Sequence, residues 1–179
     1  GLLAGAQAPA SCGVPIRSAL KSQAFWLLSI SFAMLYLSHI TLITHLLPLL
    51  EERGVSLADA VLTVSLLGPS QVLGRIIMVS MGKRVSVASF ALASLGLTVV
   101  AALILVWAPS VLSALIAFAI LQGMGVGMSS ITRPLITAQL LGRANFGVIA
   151  GMIATVVLLT TAFAPISSSF VWSAGGYDL

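Results

Sequence analysis

The sequence predicts an all-α fold, a polytopic membrane helical bundle of about five transmembrane helices, and three observations predict it. Hydrophobic residues make up 59% of the 179 residues, while charged residues make up 7%. Mean hydropathy is +1.16, whereas a soluble domain carries about 25% charged residues to cover its surface. The apolar residues also fall in recurrent blocks of about twenty or more, the length that crosses a hydrocarbon core of roughly 30 Å as a helix. Recurrence along the whole chain excludes a lone signal peptide. The single cysteine, Cys12, excludes an internal disulfide and a CxxC metal or redox pair.

Residues 1–23 are rich in Gly, Ala, Ser and Pro and carry Arg17 and Lys21, the composition of a linker. The partial transmembrane bundle then occupies residues 24–179. Its first span covers about Phe25 to Leu50 and closes on Glu51-Glu52-Arg53-Gly54, with Gly54 placed as a C-terminal cap. Ser56 and Asp59 form a capping-box-like pair that opens the second span, about Leu57 to Met81, which contains Pro69. Gly82-Lys83-Arg84 is a very short loop before the third span, about Val85 to Trp107. After Ala108-Pro109-Ser110 the fourth span runs from about Val111 to Arg133, and a continuation past Pro134 towards Leu141 is open. Gly142-Arg143-Ala144-Asn145 links it to the fifth span, about Phe146 to Ser169.

The charges test this topology independently. If sides alternate from the linker, its side holds Arg17, Lys21, Lys83, Arg84 and Arg143, with Arg75 and Arg133 at helix ends facing it. Of the eight basic residues only Arg53 falls on the other side, together with all four acids, Glu51, Glu52, Asp59 and Asp178. The positive-inside rule therefore puts the linker in the cytoplasm. This segregation of the +4 net charge speaks against nucleic acid as a partner. Trp26, Trp107 and Trp172 lie at span ends, as an interfacial aromatic belt requires. An odd span number, no initiator methionine and a final Gly175-Gly176-Tyr177 turn lead us to expect a fragment, lacking an N-terminal half and a last helix.

Several strings carry a resemblance. His45-Leu46-Leu47-Pro48-Leu49-Leu50-Glu51-Glu52-Arg53-Gly54, followed by Gly68-Pro69-Ser70-Gln71-Val72-Leu73-Gly74-Arg75, resembles the seventh and eighth helices of bacterial major facilitator superfamily transporters. Gly123-Met124-Gly125-Val126-Gly127, Arg133 and Leu141-Gly142-Arg143 resemble their tenth. The resemblance covers nearly the whole chain, as helices seven to eleven. It implies a permease of the plasma membrane (the bacterial inner membrane) that moves a small solute by secondary active, alternating-access transport between two six-helix halves. The family's cytoplasmic loop signature is echoed in Met81-Gly82-Lys83-Arg84, but Lys83 stands where the usual Asp would be, so an acid–base latch does not carry over.

Polar groups within spans are costly in lipid and face protein or water. His39 and His45 are about 120° apart around their helix at 100° per residue, which argues against a joint metal site. His39, near mid-span, either lines a solute path or is hydrogen-bonded between helices. Gln71 and Arg75, four apart, share a face; Arg75, Gly74, Gly82, Lys83 and Arg84 are the candidate gating and cytoplasmic-loop group. Arg133, with Gln122 on the same helix, suits an anionic solute through charge-assisted hydrogen bonds; the alternative is an Arg snorkelling to the interface. Pro69 predicts a kink. Gly123, Gly125 and Gly127, and the Gly147–Gly151 pair, predict close helix packing. Gly123-x-Gly125-x-Gly127 lies inside an apolar helix rather than after a strand, which excludes a dinucleotide loop.

The only Asp or Glu within these span bounds is Asp59, in the first turn of the second span, and neither HExxH nor GxSxG occurs. Intramembrane aspartyl and metalloprotease chemistry need such groups, so the expectation is no enzyme, no cofactor and no metal. A non-transporting scaffold or channel subunit is the alternative function.

Overall fold

In the computed structural model, residues 16–82, 84–108, 110–143 and 145–175 are described, with side chains as far as Pro165. Lys83, Cys12, most of the linker, the Trp172 side chain and the Asp178 tail lie outside them.

Six helices follow in chain order: α1 Ile16–Lys21, α2 Gln23–Glu52, α3 Leu57–Met81, α4 Val87–Trp107, α5 Leu112–Leu141 and α6 Phe146–Gly175. There is no strand among the described residues. Five of the helices, α2 to α6, are long and apolar enough to cross a membrane. Their outward faces are apolar: Trp107 is 84% exposed, Leu92 and Val79 71%, and Leu158 67%. So much greasy surface is tolerated only against lipid. The protein is a multi-pass helical membrane protein.

Local chemistry fixes the helix ends. At the end of α2, Gly54 has φ of +74°. Its N–H donates to the Glu51 carbonyl and that of Val55 to Leu50, both at 3.0 Å. This is a Schellman closure, and only glycine adopts that φ without strain. Val55 then packs against the buried core that holds Leu50. At the start of α3, the Ser56 hydroxyl oxygen accepts from the Asp59 N–H at 3.2 Å and donates to the Asp59 carboxylate at 2.7 Å. Ser86 caps α4 in the same way through the Ser89 N–H.

Two boundaries differ from the sequence expectation, and one that it leaves open is decided. Helix α1 occupies the end of the stretch read as linker, stopped by Ser22, which caps α2 through the Phe25 N–H. Helix α6 continues beyond Ser169 to Gly175. Of the two ends left open for the fourth span, α5 takes the longer and runs through Pro134 to Leu141. A proline removes one backbone donor, and neighbouring helices can carry the helix past it in a membrane.

Helix α5 is the centre of the bundle, packing against α2, α3, α4 and α6, most extensively against α3 and α4. Its apolar window is 56% buried, against 17–28% for the other four. Helix α6 leans mainly on α2. One core cluster joins Leu46 and Leu50 of α2 to Leu115, Phe118 and Ala119 of α5. A second joins Phe32 and Ala33 to Ile136 and Val157. The start of α2 therefore meets the end of α5, so these helices run antiparallel.

Candidate functional site

The three faces of α5 do different things. Towards α3 it is made of glycine. A Cβ at Gly123 would lie 2.5 Å from Ser70 Cβ and 2.7 Å from the Leu67 carbonyl oxygen; one at Gly127 would overlap the Gln71 carbonyl. From the other side, a Cβ at Gly74 would overlap the Met124 carbonyl. The two backbones thus touch directly, which only missing side chains permit. Towards α4, a Cβ at Gly125 would meet the Ser94 carbonyl oxygen and Thr98 Cγ2, both at 2.8 Å.

The α2 side is polar. Gln122, Ser129 and Arg133 recur at spacings of seven and four, which keep them on one helical face. Arg133 is half-buried, and its guanidinium carbon lies 5.5 Å from the centre of the Tyr36 ring, a cation–π contact across α2 and α5. The Ser129 hydroxyl approaches the Tyr36 hydroxyl at 3.4 Å, although its shorter bond, 2.7 Å, goes to the Val126 carbonyl. One turn further along α2 from Tyr36 lies His39, 6% exposed. The antiparallel register puts His39 at the level of about Val126 to Ser129, and Gln122 about one turn further along the seam. Gln122 is 1% exposed. Neither its amide nitrogen nor its amide oxygen has a hydrogen-bonding partner among the described residues, and the same holds for His39 Nδ1. A buried polar atom without a partner costs about 1–3 kcal/mol, so these three atoms are the most expensive unused hydrogen-bonding capacity in the core.

The remaining candidates are scattered around this cluster. Arg75 is exposed on α3, and its Nε donates to Ser130 Oγ on α5 at 3.2 Å. Gln71, half-buried, contributes its backbone to the Gly127 contact. Pro69 is exposed within an unbroken α3. Gly82 and Arg84 flank Lys83 at the end of α3, with Gly82 in ordinary right-handed conformation at φ of −61°. Arg133 lies eight residues before the end of α5, about 12 Å along the helix, and faces Tyr36. One expectation is corrected by position. Gly147 and Gly151 meet nothing within 4 Å, because α6 presents Ile149 and Ile153 to the core and turns both glycines outward.

No family model and no curated protein matches the chain. Function must therefore be argued from the site itself. Among the described residues no group of three or more His, Cys, Asp and Glu comes together to hold a metal.

Tyr36 was not singled out by sequence. The available signal was its place three residues before His39, on the same helical face.

Proposed function

We propose that the chain is part of a secondary active transporter of the major facilitator type, moving a small anionic solute by alternating access. The observation that carries this is Arg133. It is a permanently charged group placed well inside a helix that crosses the membrane, aimed at a neighbouring helix, with a neutral aromatic ring as its contact. An arginine on the protein-facing side of such a helix supports a solute path, since charged groups within spans face protein or water and mark such paths. Gln122 and His39, further along the same seam, supply uncharged hydrogen-bonding groups that a solute can use. Segregation of the basic residues supports a cytoplasmic α1 and an inner, plasma-membrane location. A second helical half, as in the resembling family, would complete the path.

Saturable, gradient-driven flux in vesicles made with the full-length protein tests this proposal. Arg133→Lys keeps the charge but loses the planar fork; it should lower uptake at least tenfold while protein levels stay normal. Unsaturable flux would indicate a channel subunit, absence of flux a scaffold, and full uptake by Arg133→Lys would return that residue to a packing role.

A further inference from the structure

Arg75 and Arg133 belong to one cluster, although they come from different helices. Arg75 of α3 binds Ser130, while Arg133 of α5 lies over Tyr36, whose hydroxyl meets Ser129. Ser129 and Ser130 are consecutive, and Arg133 follows them by four and three residues, one turn along α5. The serine protons are engaged by the Val126 and Gly127 carbonyls at 2.7 Å. Ser130 therefore offers Arg75 a lone pair and no charge.

Both arginines lie inside their helices, six residues before the end of α3 and eight before the end of α5, about 9 and 12 Å along. Neither pairs with an acid among the described residues. The whole chain holds four acids: Glu51, Glu52 and Asp59 cluster at the α2–α3 connection, at the opposite ends of these helices, and Asp178 lies in the tail. Two guanidiniums that cannot deprotonate thus bracket one turn of α5, Arg75 exposed and Arg133 half-buried, with only hydroxyls and a ring as partners among the described residues. A monoanion would leave one charge uncompensated; two negative charges neutralise the cluster.

We propose that this cluster is a binding site for a dianionic solute, a dicarboxylate or a phosphate- or sulfate-like oxyanion, with Arg75 and Arg133 each taking part of the charge and Tyr36 holding Arg133 in place. This rests on the transporter reading and names its solute class. The Tyr36 ring contacts the Arg133 guanidinium at 5.5 Å without using its N–H donors, which an oxyanion can then take. Tyr36 is accordingly a positioning residue, and Arg75 a solute-binding one.

The test uses purified full-length protein in neutral detergent free of anionic lipid, with succinate, its monoamide and inorganic sulfate as probes at constant ionic strength. Calorimetry should show succinate or sulfate binding at least tenfold tighter than the monoamide. Arg75→Gln and Arg133→Gln should each weaken dianion binding roughly ten- to a hundredfold, the loss expected for a charge-assisted hydrogen bond, and bring the dianion-to-monoamide ratio close to one. Arg75→Lys should retain part of that ratio and covers the case in which the Gln variant does not fold. Tyr36→Phe should keep the ratio, and Tyr36→Leu should lower affinity while preserving it, which loss of fold would not do. Failure of every dianion to bind, or an unchanged ratio in Arg75→Gln, overturns the proposal. So does stabilisation by phosphatidylglycerol vesicles alone, which would make lipid phosphate the counter-charge. Flux of a neutral solute that ignores Arg75→Gln would sink the dianion site and leave the transporter standing. Dianion binding without flux would do the reverse.

Discussion

Gly127→Ala is the sharpest test of how α5 is seated. The added methyl would fall on the Gln71 carbonyl of α3, and the equivalent atom at Gly123 would come within 2.5 Å of Ser70 Cβ. Carbon atoms rest at about 3.5–4.0 Å, so α3 and α5 must part by on the order of 1 Å. The obstacle is backbone, which cannot swing aside as a side chain can. Overpacking of a tight core costs about 1–3 kcal/mol, and a backbone clash belongs at the upper end. Replacing a helical glycine recovers about 0.5–1 kcal/mol, leaving a net loss of about 2 kcal/mol. Gly151→Ala is the control on an open helix face, where only the recovery applies and stability should be unchanged or slightly raised. Thermal or denaturant unfolding of both variants in one detergent gives the difference directly. Equal stability of the two would mean that the backbones of α3 and α5 are not in contact.

Gly54→Ala should destabilise by about 1–2 kcal/mol, because a φ of +74° forces a Cβ against the following carbonyl; full-strength folding would refute the Schellman closure. Cysteines placed at Gly54 or Ser56 should react with impermeant reagents from outside, and those at Arg84 and Arg143 from the cytoplasm only. Reaction of all of them from one side would break the five-span topology. If transport is proton-coupled, His39→Gln should keep that coupling, since the spans of this chain hold no Asp or Glu beyond their end turns, where Glu51, Glu52 and Asp59 lie. Loss of pH-driven uptake with solute exchange intact would make His39 the coupling group instead.

What the sequence made legible was whatever depends on local chemistry. Span existence follows from apolar length, and the caps at Gly54 and Ser56–Asp59 follow from residue type and spacing alone. The course of α5 past Pro134 stayed open between two ends, because a proline stops a helix in water more firmly than among neighbouring helices. Tyr36 escaped for a different reason. An aromatic residue inside a span reads as packing, and only the antiparallel register of α2 and α5 brings it over Arg133. Gly147 and Gly151 show the converse failure. Their spacing is the same as that of Gly123 and Gly127, but spacing cannot say whether a second helix is there to be met.

The faces of α5 also differ in how firmly they hold their neighbours. Against α3 and α4 it makes backbone contact through Gly123, Gly125 and Gly127, and such contact leaves little room to slide, since packed surfaces shift between discrete arrangements and do not deform smoothly. Against α2 it contributes longer side chains, among them an unpartnered glutamine, and its cation–π contact is worth about 0.5–2 kcal/mol. Helix α6 follows α2 more closely than it follows α5. The bundle is therefore tight across α3, α4 and α5 and looser along the seam where α2 and α6 lean on them. Tyr36, His39, Gln122 and Arg133 all belong to that seam. A group that must grip and release a solute has to sit where helices can part at small cost.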